Sequence, residues 1–309
     1  MKTREIFVYL LYNGSRTMQF HKSAQKYVGF RGLTKEKQFY YNRENDWKVG
    51  KDFMRFRPCI DIHNGQVKQI VGGSLIDEND FARENFVSEQ DAAWYAKLYR
   101  EDGLRGGHVI LLNGADSPYY EATKAQALKA LRAYPGGLQI GGGICPENAA
   151  EYLDAGASQV IVTSYVFQDG QIHYEKLEKM LSAVGRERLV LDLSCRKKDG
   201  AYYIVTDRWQ KFTEVQVTPA LLDTLSGKCS EFLIHAVDVE GKASGIEREL
   251  AAMLGDWAGI PITYAGGVGS MEDVEVLRTL GKGRLDVTIG SALDLFGGCI
   301  PYRNVVYLR

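Results

Sequence analysis

GGGICPENAAEYLDAGASQVIVTS at residues 141–164 is repeated in order and in spacing by AGGVGSMEDVEVLRTLGKGRLDVTIGS at residues 265–291. Each segment has a Gly-Gly pair, then an amphipathic stretch, then a short apolar run that ends in a hydroxyl residue. Gly142 and Gly266 lie 124 positions apart, and the two hydroxyl ends lie 127 positions apart. The repeat predicts a fold of two similar halves.

Short apolar runs alternate with amphipathic stretches of helical period from residue 57 onward. Such alternation over about 250 residues is typical of a (β/α)8 barrel, and a doubly wound open sheet is the competing architecture. A second repeat, CIDIHNG from Cys59 and LDLSCRKKDG from Leu191, aligns Asp61 with Asp192. We therefore predict the α/β class and a (β/α)8 TIM barrel of two repeated half-barrels, with each repeated pair on opposite sides of the axis. The predicted strands are residues 58–62, 108–112, 138–140, 159–162, 189–193, 232–236, 260–264 and 286–289, and the predicted helices include residues 88–101, 120–133, 146–155, 174–184, 246–254 and 271–280.

The overall composition is that of an ordinary folded chain of 309 residues, 25% charged and 45% hydrophobic. Its 38 basic and 39 acidic residues give a net charge of -1, which offers no broad attraction to nucleic acid or to anionic lipid. No apolar run approaches the roughly 18 residues of a membrane span. We therefore expect a small-molecule partner, no nucleic acid and no membrane, and we expect a monomer.

Five cysteines are scattered along the chain without a CxxC pair or regular spacing. A chain of this length has no need of disulfides for stability, so a reducing compartment fits best and we expect a cytoplasmic location. Because no cluster of His, Cys, Asp and Glu shows the spacing of metal ligands, we expect neither a metal nor a cofactor. The cysteines are Cys59, Cys145, Cys195, Cys229 and Cys299.

The first 53 residues differ in composition from the rest of the chain. They hold 11 Lys and Arg and 5 Asp and Glu, whereas the remaining 256 residues hold 27 and 34. They show no sustained helical or strand periodicity, and their acids Glu36, Glu44 and Asp46 argue against an organellar presequence. We interpret residues 1–53 as an appended, mis-started or poorly ordered extension and residues 54–309 as the catalytic barrel, because Met54 directly precedes the first predicted strand.

The two Gly-Gly pairs predict phosphate sites. A strand that ends in Gly-Gly and opens a helix leaves backbone N–H groups free, with no Cβ to keep a phosphate away, and the helix N-terminus adds partial positive charge. A single Gly-Gly pair is weak evidence, because glycines often serve only to form a tight turn. Two matched copies, each followed by hydroxyl donors at the end of the next strand, predict two phosphate sites that face one another across the barrel mouth. The substrate is then phosphorylated at both ends. The predicted phosphate-binding residues are Gly142, Gly143, Thr163, Ser164, Gly266, Gly267, Gly290 and Ser291.

Asp61 and Asp192 are the predicted catalytic residues. Each lies at the end of an apolar strand, the first and the fifth, where a carboxylate is out of place unless it is used. The structural alternative is an Asp that caps the following loop through backbone amides. The symmetric positions of the two residues between the phosphate sites predict a general acid and base pair.

Four other residues have both a functional and a structural interpretation. Trp209, in TDRWQ after the fifth strand, lies where a short hairpin could fold over the barrel mouth. Its indole would then either stack on a planar substrate or anchor the hairpin as a buried side chain. We assign Trp209 to substrate binding. His108 and His235 each lie in a strand and are interpreted as core or supporting residues, and Lys68 as a solvated charge.

At these residues the sequence resembles a known family, the histidine-biosynthesis isomerases that act on phosphoribosylformimino-aminoimidazole carboxamide ribotide (the ProFAR isomerases), and in particular its eukaryotic-type branch. The resemblance covers about residues 55–296 and is carried by many motifs in the same order. These motifs are CIDIHNGQVKQIVGG from Cys59, NFVS from Asn85, YAKLY from Tyr95, GGHVILL from Gly106, GGGI from Gly141, VIVTS from Val160, VLDLSCRKKDG from Val190, FLIHAVDVEG from Phe232, YAGG from Tyr264 and GSALDLFGG from Gly290.

The resemblance implies an Amadori rearrangement, in which an aminoaldose becomes an aminoketose without a cofactor. Carried over, Asp192 is the acid that protonates the ribose ring oxygen, and Asp61 is the base that removes the proton from the second sugar carbon. The sequence departs from the pattern at Cys145, where bacterial members usually carry Arg. It also departs in HAVDVEG, which lacks the bacterial threonine and leaves the roles of Asp238 and Glu240 open.

Two alternatives remain at this point. The sister cyclase of the same pathway, a lyase barrel of imidazole glycerol phosphate synthase, usually has Lys after the aspartate-containing dipeptide of its first strand, where this chain has His63. A catalytically silent barrel that binds bisphosphate ligands is the alternative from another class, and it has no need of both Asp61 and Asp192.

Overall fold

A computed structural model describes residues 54–70, 84–206, 209–257 and 259–308 of the chain. Short strands and helices alternate along these ranges. In chain order they are β1 (Cys59–His63), β2 (Gln66–Ile70), β3 (Glu84–Val87), α1 (Ala92–Glu101), β4 (Gly107–Leu111), α2 (Tyr120–Ala133), β5 (Leu138–Gly141), α3 (Pro146–Asp154), β6 (Val160–Val162), β7 (Phe167–Gln168), β8 (Gln171–Ile172), α4 (Tyr174–Val184), β9 (Leu189–Asp192), β10 (Cys195–Lys198), β11 (Ala201–Thr206), β12 (Lys211–Gln216), α5 (Pro219–Ser226), β13 (Glu231–His235), α6 (Arg248–Asp256), β14 (Ile262–Ala265), α7 (Met271–Leu280), β15 (Leu285–Thr288) and α8 (Tyr302–Val305).

Eight of the strands pair in parallel, in the order β1, β4, β5, β6, β9, β13, β14 and β15. The ring closes through the residues that lead into β1. The amide of Arg57 donates to the carbonyl of Val287 in β15 at 2.8 Å, and the amide of Val287 donates to the carbonyl of Arg55 at 2.9 Å. A closed ring of eight parallel strands with intervening helices is a (β/α)8 barrel, so the predicted fold is confirmed.

The barrel strands are buried on both faces, which is why they read as apolar runs rather than as alternating patterns. Ile161, Val190, Leu233 and Ala265 form a separate buried cluster that joins β6, β9, β13 and β14. The main core cluster joins the strands to the surrounding helices. All eight predicted strands are present, with ends shifted by at most two residues.

The predicted helices are present as well, and α2, α4 and α7 have the predicted bounds. Helix α1 begins at Ala92 instead of residue 88, because Asp91 is its N-cap and accepts a hydrogen bond from the amide of Trp94 at 3.0 Å. Two helices, α5 and the short α8, are not among the predicted ranges. The N-cap of α5 is Thr218, which accepts from the amide of Leu221 at 3.2 Å, and Pro219 is its first helical residue.

Three small antiparallel units follow the carboxyl ends of barrel strands and surround the mouth. Strands β2 and β3 extend from β1, β7 pairs with β8, and β10, β11 and β12 form a three-stranded sheet after β9. Among the helices in the described ranges, none is both long and apolar enough to cross a membrane. The predicted extension at residues 1–53 lies outside the described residues.

Candidate active site

Asp61 and Asp192 belong to strands on opposite sides of the ring. Three barrel strands separate β1 from β9 in either direction around the barrel. The carboxyl ends of all eight parallel strands meet at one mouth, where enzymes of this architecture have their active sites. The sequence repeat therefore places one carboxyl group on each side of the same opening.

Asp61 lies in surroundings that favour its neutral form. Burial and the nearby carboxylate of Glu240 raise the pKa of Asp61 to about 7, although His235 and a hydrogen bond from Gln69 act in the opposite direction. The bond from Gln69 on β2 joins its Nε2 to Oδ2 of Asp61 at 3.1 Å. A carboxyl group with a pKa near neutrality is suited to exchanging a proton at neutral pH.

Asp192 is held by hydroxyl groups. Oγ1 of Thr163 donates to Oδ2 of Asp192 at 3.0 Å, and Oγ of Ser194 donates to Oδ1 at 3.0 Å. The indole Nε1 of Trp209 donates to the same Oγ of Ser194 at 3.1 Å. The turn between β11 and β12, which carries Trp209, is thereby linked to the carboxylate of Asp192 through one serine.

His235, at the end of β13, interacts with both acids. Its Nδ1 lies 3.8 Å from Oδ1 of Asp192. Burial by itself lowers the pKa of this imidazole, but Asp192, Glu240 and Asp61 together outweigh burial and raise the pKa to about 9. His108 on β4, with its ring 6.2 Å from that of His235, has its pKa lowered to about 3 by burial and by His235. At neutral pH His235 is therefore charged and His108 neutral.

The first Gly-Gly pair forms an open turn after β5. Gly142 and Gly143 have φ angles of 99° and 67°, in the region that favours glycine, and a Cβ on Gly142 would overlap the carbonyl of Leu111. Gly143 and Ser164 are exposed and available to a ligand. Thr163, in contrast, gives its hydroxyl proton to Asp192, so in this structure it supports the acid rather than the turn.

The second Gly-Gly pair lines a small open recess together with Gly290, Ser291 and Glu240. The structure thus brings Gly266, Gly267, Gly290 and Ser291 to one place, as the repeat predicts. The amides at the start of α7 are not free, because Oδ2 of Asp273 accepts from Gly269 at 2.9 Å and from Ser270 at 3.0 Å. That helix N-terminus therefore has fewer backbone amides available to a phosphate than the sequence predicts.

Lys68 differs from its sequence interpretation. It is only 5% exposed, and its Nζ lies 2.5 Å from Oε1 of Glu84 on β3. The interpretation as a solvated charge is wrong, because the pairing of β2 with β3 brings a partner from 16 residues along the chain. Cys145 is the N-cap of α3, and its amide donates to Oδ1 of Asn148 at 2.9 Å.

Sequence reasoning missed two residues of this site, Gln69 and Ser194. Both are buried polar side chains, Gln69 eight positions after Asp61 at the end of GQVKQ and Ser194 two positions after Asp192 in LDLS. A polar residue in an otherwise apolar stretch beside a candidate acid is the signal that could have found them. Their hydrogen bonds to Asp61 and Asp192 show that each acid has its own supporting residue.

The closed ring of eight parallel strands, with two carboxyl groups at its mouth, defines a (β/α)8-barrel enzyme. Comparison with known families identifies which kind. The family model described as Histidine biosynthesis protein matches residues 55–299, and the chain belongs to that family.

Several relatives are similar over most of the chain. A Medicago truncatula protein named 1-(5-phosphoribosyl)-5-((5-phosphoribosylamino)methylideneamino)imidazole-4-carboxamide isomerase, chloroplastic, is 56% identical over 257 residues, which are 82% of this chain and 81% of the relative. Proteins with the same isomerase name from Neurospora crassa and Saccharomyces cerevisiae are 47% and 41% identical, and each match covers 79% of this chain and 93% of the relative.

These comparisons confirm the predicted family and the predicted enzyme class, an aldose-ketose isomerase of histidine biosynthesis. They do not test the roles of individual residues, which stay predictions. The name of the plant relative places that protein in the chloroplast, so the expected cytoplasmic location of this chain also stays a prediction.

Proposed function

We propose that this chain converts N'-((5'-phosphoribosyl)formimino)-5-aminoimidazole-4-carboxamide ribonucleotide to its phosphoribulosyl form by an Amadori rearrangement, with Asp192 as the acid and Asp61 as the base. The observation that carries the proposal is the position of these two carboxyl groups on opposite sides of one barrel mouth. The names of the relatives support the substrate, because each describes an isomerase of a carboxamide that bears two phosphoribosyl groups.

The reaction needs one proton donated and one removed. Asp192 protonates the ribose ring oxygen, the bond from that oxygen to the first carbon breaks, and the amine nitrogen forms a double bond to the first carbon. Asp61 then removes the proton from the second carbon, and that electron pair forms a carbon-carbon double bond as the nitrogen regains its own pair. The resulting enol becomes the ketone when the first carbon gains a proton and the hydroxyl loses one.

The electrostatics of Asp61 suit a base. A pKa of about 7 leaves a substantial ionised fraction at neutral pH and makes that ionised form more basic than an ordinary aspartate. Proton transfer by a positioned side chain contributes on the order of 10² to 10⁴-fold to the rate. No metal and no cofactor is part of this proposal.

The two Gly-Gly turns are assigned to the two phosphates. Exposed Gly143 and Ser164 serve one end of the substrate, and the recess at Gly266, Gly267 and Ser291 serves the other. Phosphate contacts remote from the reacting carbon supply binding energy that holds the sugar between the acids. Trp209, whose indole lies 5.9 Å from the ring of His235, is assigned to stacking on the planar imidazole.

The test is complementation with the full chain of two histidine auxotrophs, one that lacks the isomerase and one that lacks the cyclase. Rescue of the first strain alone is the expected result. Rescue of the cyclase strain instead would overturn the proposal in favour of the lyase. If neither strain is rescued although the protein is soluble and binds a bisphosphate ligand, the non-catalytic alternative replaces it.

A further inference from the structure

Asp192 needs a proton before it can act as an acid, yet its surroundings fit a carboxylate. Thr163 donates a hydrogen bond to Oδ2, and Ser194 donates one to Oδ1, each at 3.0 Å. An ionised carboxylate only accepts hydrogen bonds, whereas a protonated one must also donate. Thr163 and Ser194 thus present hydroxyl groups to both carboxyl oxygens, an arrangement that fits an acceptor, so the proposed acid needs a neighbour that delivers a proton to it.

His235 is the neighbour that can supply this proton. Its Nδ1 lies 3.8 Å from Oδ1 of Asp192, is buried, and has no hydrogen-bond partner among the described residues. That distance is too long for a hydrogen bond, so the transfer requires the two side chains to approach by roughly 1 Å. Contacts of this kind are often long before the substrate binds and shorten in the complex.

We propose that His235, as an imidazolium, passes a proton to Asp192, which then delivers it to the ribose ring oxygen. The proposal rests on the proposed function, because it assigns a proton source to that acid. The Nδ1–H bond breaks and an O–H bond forms on Asp192; that O–H bond then breaks as the ring oxygen gains the proton. The isomerisation consumes no protons overall, so one proton returns to the site for each that leaves. His235 reaches the substrate only through Asp192 and is therefore a positioning residue.

The groups around His235 support a charged imidazole. Asp192 on β9, Asp61 on β1 and Glu240 after β13 are the acids that face it, and together they raise its pKa to about 9 against the effect of burial. His108 from β4 faces it as a neutral ring, since burial and His235 lower the pKa of His108 to about 3. The three acids therefore outweigh burial and favour the charged form of this imidazole at neutral pH.

The remaining contact of His235 is with an aromatic ring. The indole of Trp209 lies 5.9 Å from the imidazole, and its Nε1 donates to the hydroxyl of Ser194. A substrate that moves Trp209 therefore also moves the serine that holds Oδ1 of Asp192. A weaker bond from Ser194 would leave Oδ1 of Asp192 open to the proton from His235. Substrate binding would thereby promote protonation of Asp192.

The test compares His235→Gln with the full wild-type chain over about pH 6 to 10. Glutamine keeps polarity and approximate size but cannot titrate. We expect kcat to fall by about 10² or more with KM within about twofold, and the alkaline limb of kcat/KM near pH 9 to disappear. The matched control is His173→Gln at the N-cap of α4, which should keep both limbs. An alkaline limb that persists near pH 9 in His235→Gln overturns the proposal, whatever the loss of kcat.

A second measurement covers the case in which His235→Gln does not fold. In the wild-type chain with labelled histidines, magnetic resonance should show one imidazole that stays protonated above about pH 8, and its pKa should fall in Asp192→Asn. If every histidine of the wild-type chain is neutral at pH 8, the proposal is wrong. Asp61→Asn and Asp192→Asn distinguish failure of the proposed function from failure of the proton-source proposal. Wild-type turnover in both variants defeats the proposed function, whereas loss in both with an unchanged His235→Gln defeats only the proton source.

Discussion

Gln69 donates a hydrogen bond from its side-chain amide to Asp61, with 3.1 Å between Nε2 and Oδ2. The amide oxygen of the same side chain occupies the space that a Cβ on Gly290 would need. Gly290 belongs to the second predicted phosphate site, so one buried side chain joins that site to the proposed base. A side chain at position 290 would therefore have to displace the amide of Gln69 that holds Asp61.

Gln69→Leu should make Asp61 harder to ionise, because the lost hydrogen bond stabilises the carboxylate. Its pKa, about 7 in the wild type, should rise further. Since the base acts when ionised, the acid limb of kcat/KM should move to higher pH, with a several-fold loss at pH 7 that is recovered above about pH 8. Gln216→Leu on β12, whose side chain is exposed and bonds Tyr203, is the control. An acid limb at the same pH in both variants contradicts the assignment.

The architecture could be predicted from the sequence because barrel strands that are buried on both faces are continuous apolar runs. The two acids could be predicted because Asp61 and Asp192 are charged residues at the ends of apolar runs. The three-stranded sheet could not be predicted, because β10 and β12 are mostly exposed and a sequence such as CRKK in β10 shows no alternation of apolar and polar residues. The partner of Lys68 depends on strand pairing, which local sequence does not specify.

The two phosphate sites can be tested by adding a negative charge to each. Ser164→Asp and Ser291→Asp should each raise KM for the bisphosphate substrate strongly, because a carboxylate beside a bound phosphate repels it. The fold should persist, since Ser164 is exposed and Ser291 partly so. Ser182→Asp, on the surface of α4, is the matched control. Normal substrate binding by either variant would mean that its site is misassigned.

A buried ion pair closes the opposite end of the barrel. Nε of Arg57 lies 2.8 Å from Oδ2 of Asp286, and both side chains are under 10% exposed. Arg57→Met should lower the free energy of unfolding by about 3–5 kcal/mol, because it leaves buried Asp286 without its main counter-charge. Arg55 pairs with the same carboxylate but is 54% exposed, so Arg55→Met should cost about 1 kcal/mol or less. Urea unfolding of the two variants decides the matter, and equal losses would contradict it.

The start of the catalytic unit can be located by truncation. A chain that begins at Met54 should fold and turn over, because it keeps the hydrogen bonds of Arg55 and Arg57 with Val287 that close the ring. A chain that begins at Pro58 loses those hydrogen bonds and should be unstable. Activity and thermal unfolding measure both outcomes. Inactivity of the chain from Met54 would show that residues 1–53 belong to the catalytic unit.

The proposed acid and base can be separated by what each variant fails to do. Asn at position 61 or 192 keeps the shape of the side chain but cannot exchange a proton at neutral pH, so kcat should fall by roughly 10² or more in each. Asp61→Asn should also abolish exchange of the second-carbon proton with solvent, whereas Asp192→Asn should mainly block ring opening.

A substrate supplied with its ribose already open distinguishes the two variants further. It no longer needs the acid, so it should restore part of the turnover of Asp192→Asn, but it still needs the base and should restore none in Asp61→Asn. The reverse pattern would exchange the two roles. The experiment discriminates between the two assignments because the raised pKa of Asp61 keeps it partly protonated at neutral pH, while Asp192 accepts hydrogen bonds from two hydroxyl groups. Near-wild-type turnover of either folded Asn variant would remove that residue from the mechanism altogether.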